Sequence, residues 1–277
     1  MGSGKTLESN ISKKIGLIAG DGELPIKLAQ SASKKGHEVI CVSLSPTNQK
    51  ELTKCCGKTY SSGPGEIEKI LSIIKNEEIK ELSFIGKVHK GMLLRNPRLD
   101  KKAISLIMQK KKLNDDEIML TAVEELEKEG IHVIDQSIFL QDLLVPQGIL
   151  GRYEPDEEQK STIEYGFNIA KEMGRLDIGQ TVVVKNRMIL AIEAIEGTDK
   201  AIERGCRLAR ADAIVVKVSK PNQDKRFDIP TVGMNTLKMM KKYRAKILAV
   251  EAGETFIAQK EEMIKFADEN KMVFIAV

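Results

Sequence analysis

The sequence predicts an α/β protein: a parallel-sheet first domain over residues 14–142, then a second α/β domain with a mixed sheet over residues 143–277. Three observations carry this. From Ile15 onward, short apolar runs alternate with stretches of helical periodicity, the βαβ rhythm of a parallel sheet with crossover helices. The rhythm breaks at Ser137–Gly151, a dense apolar stretch interrupted by Pro146 and Gly148. Beyond it, runs 181–185 and 188–193 meet at Asn186-Arg187, a hairpin connection that adds an antiparallel pair.

Ile15–Ala19 reads as the first strand, stopped by Gly20-Asp21-Gly22. Leu24–Lys35 follows as a helix with Leu24, Leu28 and Ala32 on one face, ended by Gly36. Glu38–Ser43 is the next strand, Gly65–Asn76 a helix with Ile67, Ile70, Leu71 and Ile74 aligned, and Glu81–Gly86 a third strand. Helices near 100–111 and 115–129 precede a fourth strand at Ile131–Ile134. Ser137–Gly151 is read as a domain crossover, either a buried seam or part of an apolar groove. In the second half, helices are expected near 156–173 (with Asp156 as cap), 198–210, 235–243 and 260–270, and strands near 213–218, 246–250 and 272–276.

At 42% hydrophobic and 30% charged residues the composition is that of a soluble globular protein, and no run reaches the ~20 apolar residues of a membrane span. The four cysteines lack CxxC spacing and suit a reducing cytoplasm, and the three scattered histidines offer no zinc pair. A net charge of +4 with no tryptophan gives neither a phosphate-coating surface nor a stacking platform, so a nucleic-acid partner is not expected. The Lys110-Lys111-Lys112 cluster reads as a solvated helix end or a phosphate or membrane-surface contact. Gly2-Ser3-Gly4-Lys5-Thr6 mimics a P-loop tail and a myristoylation signal without the upstream glycine and strand of the former; residues 1–13 are read as a disordered leader or vector-derived remnant.

Four constellations could carry chemistry. Gly20-Asp21-Gly22 lies between a strand and a helix, where amides can hold a phosphate, or it is a plain turn; Pro25 replaces the third glycine of a dinucleotide fingerprint. In Gly174–Gln180, Arg175 and Asp177 either pair with each other or face a phosphate and a metal. Glu193-Ala194-Ile195-Glu196-Gly197-Thr198-Asp199 sets three carboxylates before a helix, either as capping by Thr198 or Asp199 or as hardware for Mg²⁺. Lys217, Lys220, Asp224, Lys225, Arg226 and Asp228 follow one strand, a charged turn or a diphosphate site in which Asp228 holds a metal or orients water.

Taken in order, IGLIAGDGELP (15–25), PQGILG (146–151), GRLDIGQ (174–180), EAIEGTD (193–199), KVSKP (217–221) and RFDIPTVG (226–233) resemble the two-domain bacterial UDP-2,3-diacylglucosamine pyrophosphatases, distinct from the calcineurin-like form. The resemblance runs from about Lys14 to the C-terminus. It implies a Rossmann-like N-terminal domain, an α/β catalytic domain, and hydrolysis of UDP-2,3-diacylglucosamine to UMP and 2,3-diacylglucosamine 1-phosphate in lipid A synthesis. It implies Mg²⁺ as cofactor, a homodimer, and a cytoplasmic location at the inner face of the inner membrane through the lipid substrate. It makes Asp228 critical for turnover, either holding the metal or activating the water, with Asp199 read beside it as a second metal ligand. Substrate contacts are read at Gly20, Asp21, Gly22, Leu24, Pro25, Lys87, Gln180, Gly197, Thr198, Asp199, Lys217, Lys220, Arg226 and Thr231. Gly86-Lys87-Val88 departs from the Gly-Asn-Val of the family pattern. The alternatives are a nucleotide-sugar transferase and a non-catalytic nucleotide or nucleotide-sugar binding protein.

Overall fold

A computed structural model of the chain describes residues 14–88, 99–108 and 115–277; the Lys110–Lys112 cluster, His89 and the 1–13 segment lie outside these residues. The chain divides into two compact units between Leu140 and Gln141. Each is an α/β sandwich, the first around an all-parallel sheet and the second around a mixed one.

In the first unit, β1 (Lys14–Ala19), β2 (Glu38–Ser43), β3 (Lys58–Ser61), β4 (Glu81–Ile85) and β5 (His132–Val133) form one sheet in the order β3-β2-β1-β4-β5. That is the strand order of a Rossmann-like sheet. The central strand β1 is buried from Ile15 to Ala19, the signature of a parallel strand covered on both faces. Helices α1 (Leu24–Lys34), α2 (Gln49–Cys55), α3 (Ile67–Asn76), α4 (Lys101–Met108) and α5 (Asp115–Lys128) connect the strands. Pro25 opens α1, where its missing N–H costs nothing, and Leu28 and Ala32 face the core.

Two of these elements, α2 and β3, are absent from the sequence reading, which made β4 the third strand. The reason is composition: Lys-Thr-Tyr-Ser in β3 has no apolar alternation, because it is a half-exposed edge. Its hold comes instead from Glu77 at the end of α3, which accepts from Tyr60 Oη (2.5 Å) and Lys58 Nζ (2.9 Å).

In the second unit, β6 (Gly148–Ile149), β7 (Thr181–Lys185), β8 (Met188–Ile192), β9 (Ala213–Lys217), β11 (Ala245–Val250) and β13 (Val273–Ala276) form a sheet in the order β6-β13-β11-β9-β7-β8. Strands β9, β11 and β13 run parallel, while β6 and β7 run against them. A short parallel pair, β10 (Thr231–Val232) with β12 (Phe256–Ile257), stands apart. One face carries α6 (Glu157–Arg175) over Val182, Val184 and Val216. The other carries α7 (Thr198–Ala209), α8 (Met234–Lys242) and α9 (Lys260–Glu269) over Val183, Val215, Leu248 and Phe274. Asp156 caps α6 in a reciprocal capping box with Gln159, as its position before the helix suggests. Asn186 and Arg187 both have positive φ (48° and 57°), the type I′ geometry that turns β7 into β8.

The apolar density of Ser137–Gly151 divides between two cores. Phe139 and Leu140 are buried in the first unit, with Phe139 edge-on to His37 at 5.3 Å. Val145 and Leu150 pack into the second. Ile138, Leu143, Leu144 and Leu150 are only partly buried, and Ile149, in the edge strand Gly148–Ile149, is exposed.

Candidate active site

In each unit the candidate residues gather at the carboxyl ends of parallel strands, the edge where open α/β sheets bind ligands. In the first, the chain leaves β1 at Gly20 and β4 at Gly86, the two strands between which strand order reverses. Gly20 N donates to Ile85 O (2.9 Å), Asp21 N to Lys87 O (2.8 Å) and Lys87 N to Asp21 O (2.9 Å), zipping the two exits together. A Cβ at Gly20 would lie 2.6 Å from Lys87 O, so only glycine permits this approach. The Gly20–Gly22 turn is thus bridged to Lys87 on the segment leaving β4, with Leu24 and Pro25 opening α1 beside it.

The turn has a brace that sequence reasoning missed. Asn48 precedes α2, and its Nδ2 donates to Gly20 O (3.0 Å) and Gly22 O (2.6 Å) instead of capping its own helix. An Asn ahead of a helix is a cap signal, but it is readable only once α2 is recognised.

In the second unit, the loop from β9 to β10 is pinned at both ends. Lys217, nearly buried at the end of β9, donates from Nζ to Thr231 O (3.1 Å). Ser219 N donates to Glu251 Oε2 (2.7 Å), and Lys171 Nζ donates to Glu251 Oε1 (2.9 Å) and Ser219 O (2.8 Å). At the far end Thr231 pairs with Phe256 in the short β10–β12 ladder. Between these anchors Lys220 Nζ reaches Asp177 Oδ1 (2.7 Å), and Lys220 N donates to Gln223 Oε1 (2.8 Å). Gln223 Nε2 in turn donates to Asp228 Oδ2, orienting that carboxylate. Arg226 is held by Asp224 (2.7 Å), whose carboxyl that guanidinium keeps below the usual carboxylate range.

Beside this loop lies the junction between β8 and α7. Glu193 N donates to Thr181 O (2.8 Å) and Val218 N to Gln180 O (3.0 Å), so Glu193, Thr181 and Gln180 sit on adjoining strand ends. Thr198 Oγ1 donates to Glu193 Oε1 (2.7 Å). Three oxygens here are buried without a hydrogen-bond partner: Gln180 Oε1, Thr181 Oγ1 and Glu193 Oε2. Buried polar atoms ordinarily find partners, and these two acceptors and one hydroxyl are groups that a ligand could satisfy. Gly197, with φ of +83° and open space where a Cβ would be, leads into the α7 amides of Thr198 and Asp199.

Several sequence expectations change. Arg175 pairs with Glu172 (2.9 Å), not with Asp177, whose partner is Lys220. Thr198 and Asp199 do not cap α7: Gly197 occupies the cap position, Thr198 is already inside the helix, and its hydroxyl goes to Glu193. The three carboxylates of Glu193–Asp199 do not form a cage, because Glu196 is taken by Arg204 (2.7 Å) and Asp199 is exposed. Among the described residues no three His, Cys, Asp or Glu side chains converge to hold a metal. Gln223 was not foreseen; its role depends on a five-residue loop contact that composition does not encode.

Models of two domain families cover this arrangement end to end, the LpxI N-terminal domain over residues 14–143 and the LpxI C-terminal domain over residues 146–275. The chain belongs to the LpxI family. Among curated proteins, it is 31% identical over 276 residues to the UDP-2,3-diacylglucosamine pyrophosphatase LpxI of Caulobacter vibrioides, covering 96% of this chain and 98% of that one. Solved structures resemble this LpxI family member only loosely. N5-carboxyaminoimidazole ribonucleotide synthetase from Thermotoga maritima matches at 16% identity and a TM-score of 0.26, over 67% of this chain and 42% of that one. A biotin carboxylase from Campylobacter jejuni matches at 15% and 0.30, over 71% and 42%. The chain thus spans less than half the length of these solved proteins.

Proposed function

We propose that this protein hydrolyses UDP-2,3-diacylglucosamine to UMP and 2,3-diacylglucosamine 1-phosphate in lipid A biosynthesis, with Mg²⁺ as cofactor. The observation that carries the proposal is the match along nearly the whole of both chains to the Caulobacter vibrioides pyrophosphatase. Breaking a diphosphate needs charge neutralisation and a positioned water, with no covalent nucleophile. Lys217, Lys220 and Arg226 supply cations, and the first-turn amides of α7 add donors at the same sheet edge. Asp228, oriented by Gln223, is the carboxylate suited to hold the attacking water.

Mg²⁺ is commonly bound by one or two carboxylates plus substrate oxygens and waters, and in this reading Asp228 and Asp199 would be those carboxylates. Bound there, the ion would neutralise the diphosphate. Acyl chains and a membrane surface are the natural neighbours of Leu176, Ile178 and Ile195, which are 59%, 42% and 92% exposed on the two loops at this edge. Among the described residues no helix is long and apolar enough to cross a membrane. Peripheral contact at the inner face of the inner membrane is therefore the mode proposed, with the protein as a homodimer.

The test is release of UMP from UDP-2,3-diacylglucosamine by purified wild-type and Asp228→Ala protein, with and without Mg²⁺. The variant is expected to bind substrate and lose turnover. Wild-type turnover in Asp228→Ala would overturn the assigned role, and absence of UMP release from the wild-type protein would overturn the activity.

A further inference from the structure

The cations of the loop from β9 to β10 already have oxygen partners within the protein. Lys217 Nζ donates to Thr231 O (3.1 Å), Lys225 Nζ lies 2.7 Å from Glu254 Oε1, and Arg226 meets Asp224 through both its backbone N–H (3.0 Å) and its guanidinium (2.7 Å). Lys220 Nζ lies 2.7 Å from Asp177 Oδ1, on the turn between α6 and β7. A phosphate that enters this loop therefore competes with the protein's own carboxylates.

The Lys220–Asp177 pair is the one that parts most easily. The Asp177 side chain is 49% exposed, against 32% for Glu254 and 22% for Asp224, and Asp224 is also held by the backbone N–H, Nε and Nη2 of Arg226. A half-exposed carboxylate recovers its hydration when it swings out, whereas Lys220, at 18% exposed, carries its charge where an oxygen partner is needed. Both backbones are fixed. Asp177 N donates to Gly174 O (3.0 Å) and Ile178 N to Met173 O (3.1 Å), while Lys220 N donates to Gln223 Oε1 (2.8 Å). A Cβ at Gly174 would lie 3.1 Å from Lys220 Cα, so the end of α6 and the lysine backbone are in near contact. Parting the pair takes side-chain rotation alone.

We propose that Asp177 is a displaceable counter-ion of the phosphate site: its carboxylate holds Lys220 Nζ and yields the ammonium to a phosphate of the nucleotide. The inference rests on the reading of Lys220 as a phosphate contact. Two effects of the carboxylate act in the same direction. It must be exchanged before the ammonium is free for phosphate, and its negative charge beside the site opposes a second anion whether or not it swings out. Asp177 thus lowers the affinity for an anionic ligand. The consequence for turnover lies in release, since the carboxylate returns to Lys220 as UMP leaves and the product is not trapped among cations.

The experiment is calorimetry of UMP binding to four full-length proteins: wild type, Asp177→Asn, Lys220→Met and the double variant. Asn is chosen because it removes the charge yet tolerates the φ of +54° at this position. Asp177→Asn is expected to bind UMP about two- to five-fold more tightly than wild type, the span of an exposed ion pair. The gain is expected to vanish in the Lys220→Met background, where there is no ammonium to release. Equal or weaker binding by Asp177→Asn, or a gain that persists without Lys220, would overturn the counter-ion role and leave the nucleotide site standing. Absence of UMP binding by the wild type would instead overturn the reading of Lys220, and the proposal with it.

Discussion

Lys220 Nζ lies 2.7 Å from Asp177 Oδ1, a contact that spans 43 residues of chain and joins the loop after β9 to the turn entering β7. The lysine side chain is 18% exposed and the aspartate 49%, so the pair is largely open to solvent on the acidic side. Exposed pairs contribute roughly 0–1 kcal/mol. Asp177→Asn is therefore expected to leave the urea midpoint almost unchanged, while Lys220→Met weakens UMP binding several-fold by calorimetry. Asp177 also has a φ of +54°. Asp177→Val, which resists that conformation, is expected to cost about 1–2 kcal/mol more than the Asn variant.

Gly179 is the tightest backbone approach at this edge. A Cβ there would fall 2.3 Å from Glu193 O, a backbone atom that cannot swing aside. Gly179→Ala is expected to lower stability by about 1–3 kcal/mol, the range for overpacking, and to reduce activity by displacing Glu193. Urea denaturation and UMP release on the same preparation measure both.

Glu193 carries a buried oxygen with no partner, while its other oxygen holds Thr198. Glu193→Gln keeps the shape and an acceptor for Thr198 while replacing a carboxylate that has one buried oxygen without a partner. The variant is expected to be at least as stable as wild type in urea, yet to lose about ten-fold in kcat/KM. A stability loss with unchanged kinetics would make the carboxylate a purely structural group.

Stability of the first unit should carry the mark of Glu77 in its pH dependence. Hydrogen bonds from Tyr60 and Lys58 hold its carboxyl below the usual range. A depressed carboxylate stabilises the fold above its unfolded value of about 4.3 and loses that contribution as pH falls through the lower folded value. Urea midpoints of wild type and Glu77→Gln are expected to differ at pH 7 and to converge as pH drops below about 4. A gap that persists unchanged in acid would contradict the ion-paired role.

Much of this architecture was legible in the sequence because burial writes a period into it. The fully apolar run of β1, the four-residue spacing of Leu28 and Ala32 in α1, and the Asn186-Arg187 turn each state their local structure directly. β3 was silent because an edge strand needs no apolar face, and its anchor, Glu77, belongs to a helix end 16 residues beyond Ser61. At the candidate site, residue types were legible but partners were not. Asp177 with Lys220 and Asn48 with the Gly20 turn are tertiary pairings, and Thr198 with Glu193 replaces the helix cap that local reasoning favoured.

The double anchoring of the β9–β10 loop has a consequence for how this protein can vary. Glu251 and Lys171 fix its start, and the β10–β12 ladder fixes its finish. The residues between, 220–229, are suspended from a rigid frame much as an antibody loop is carried by its sandwich. Their chemistry can be exchanged as a cassette, and swapping the loop between relatives should transfer selectivity while the sheet beneath keeps its register.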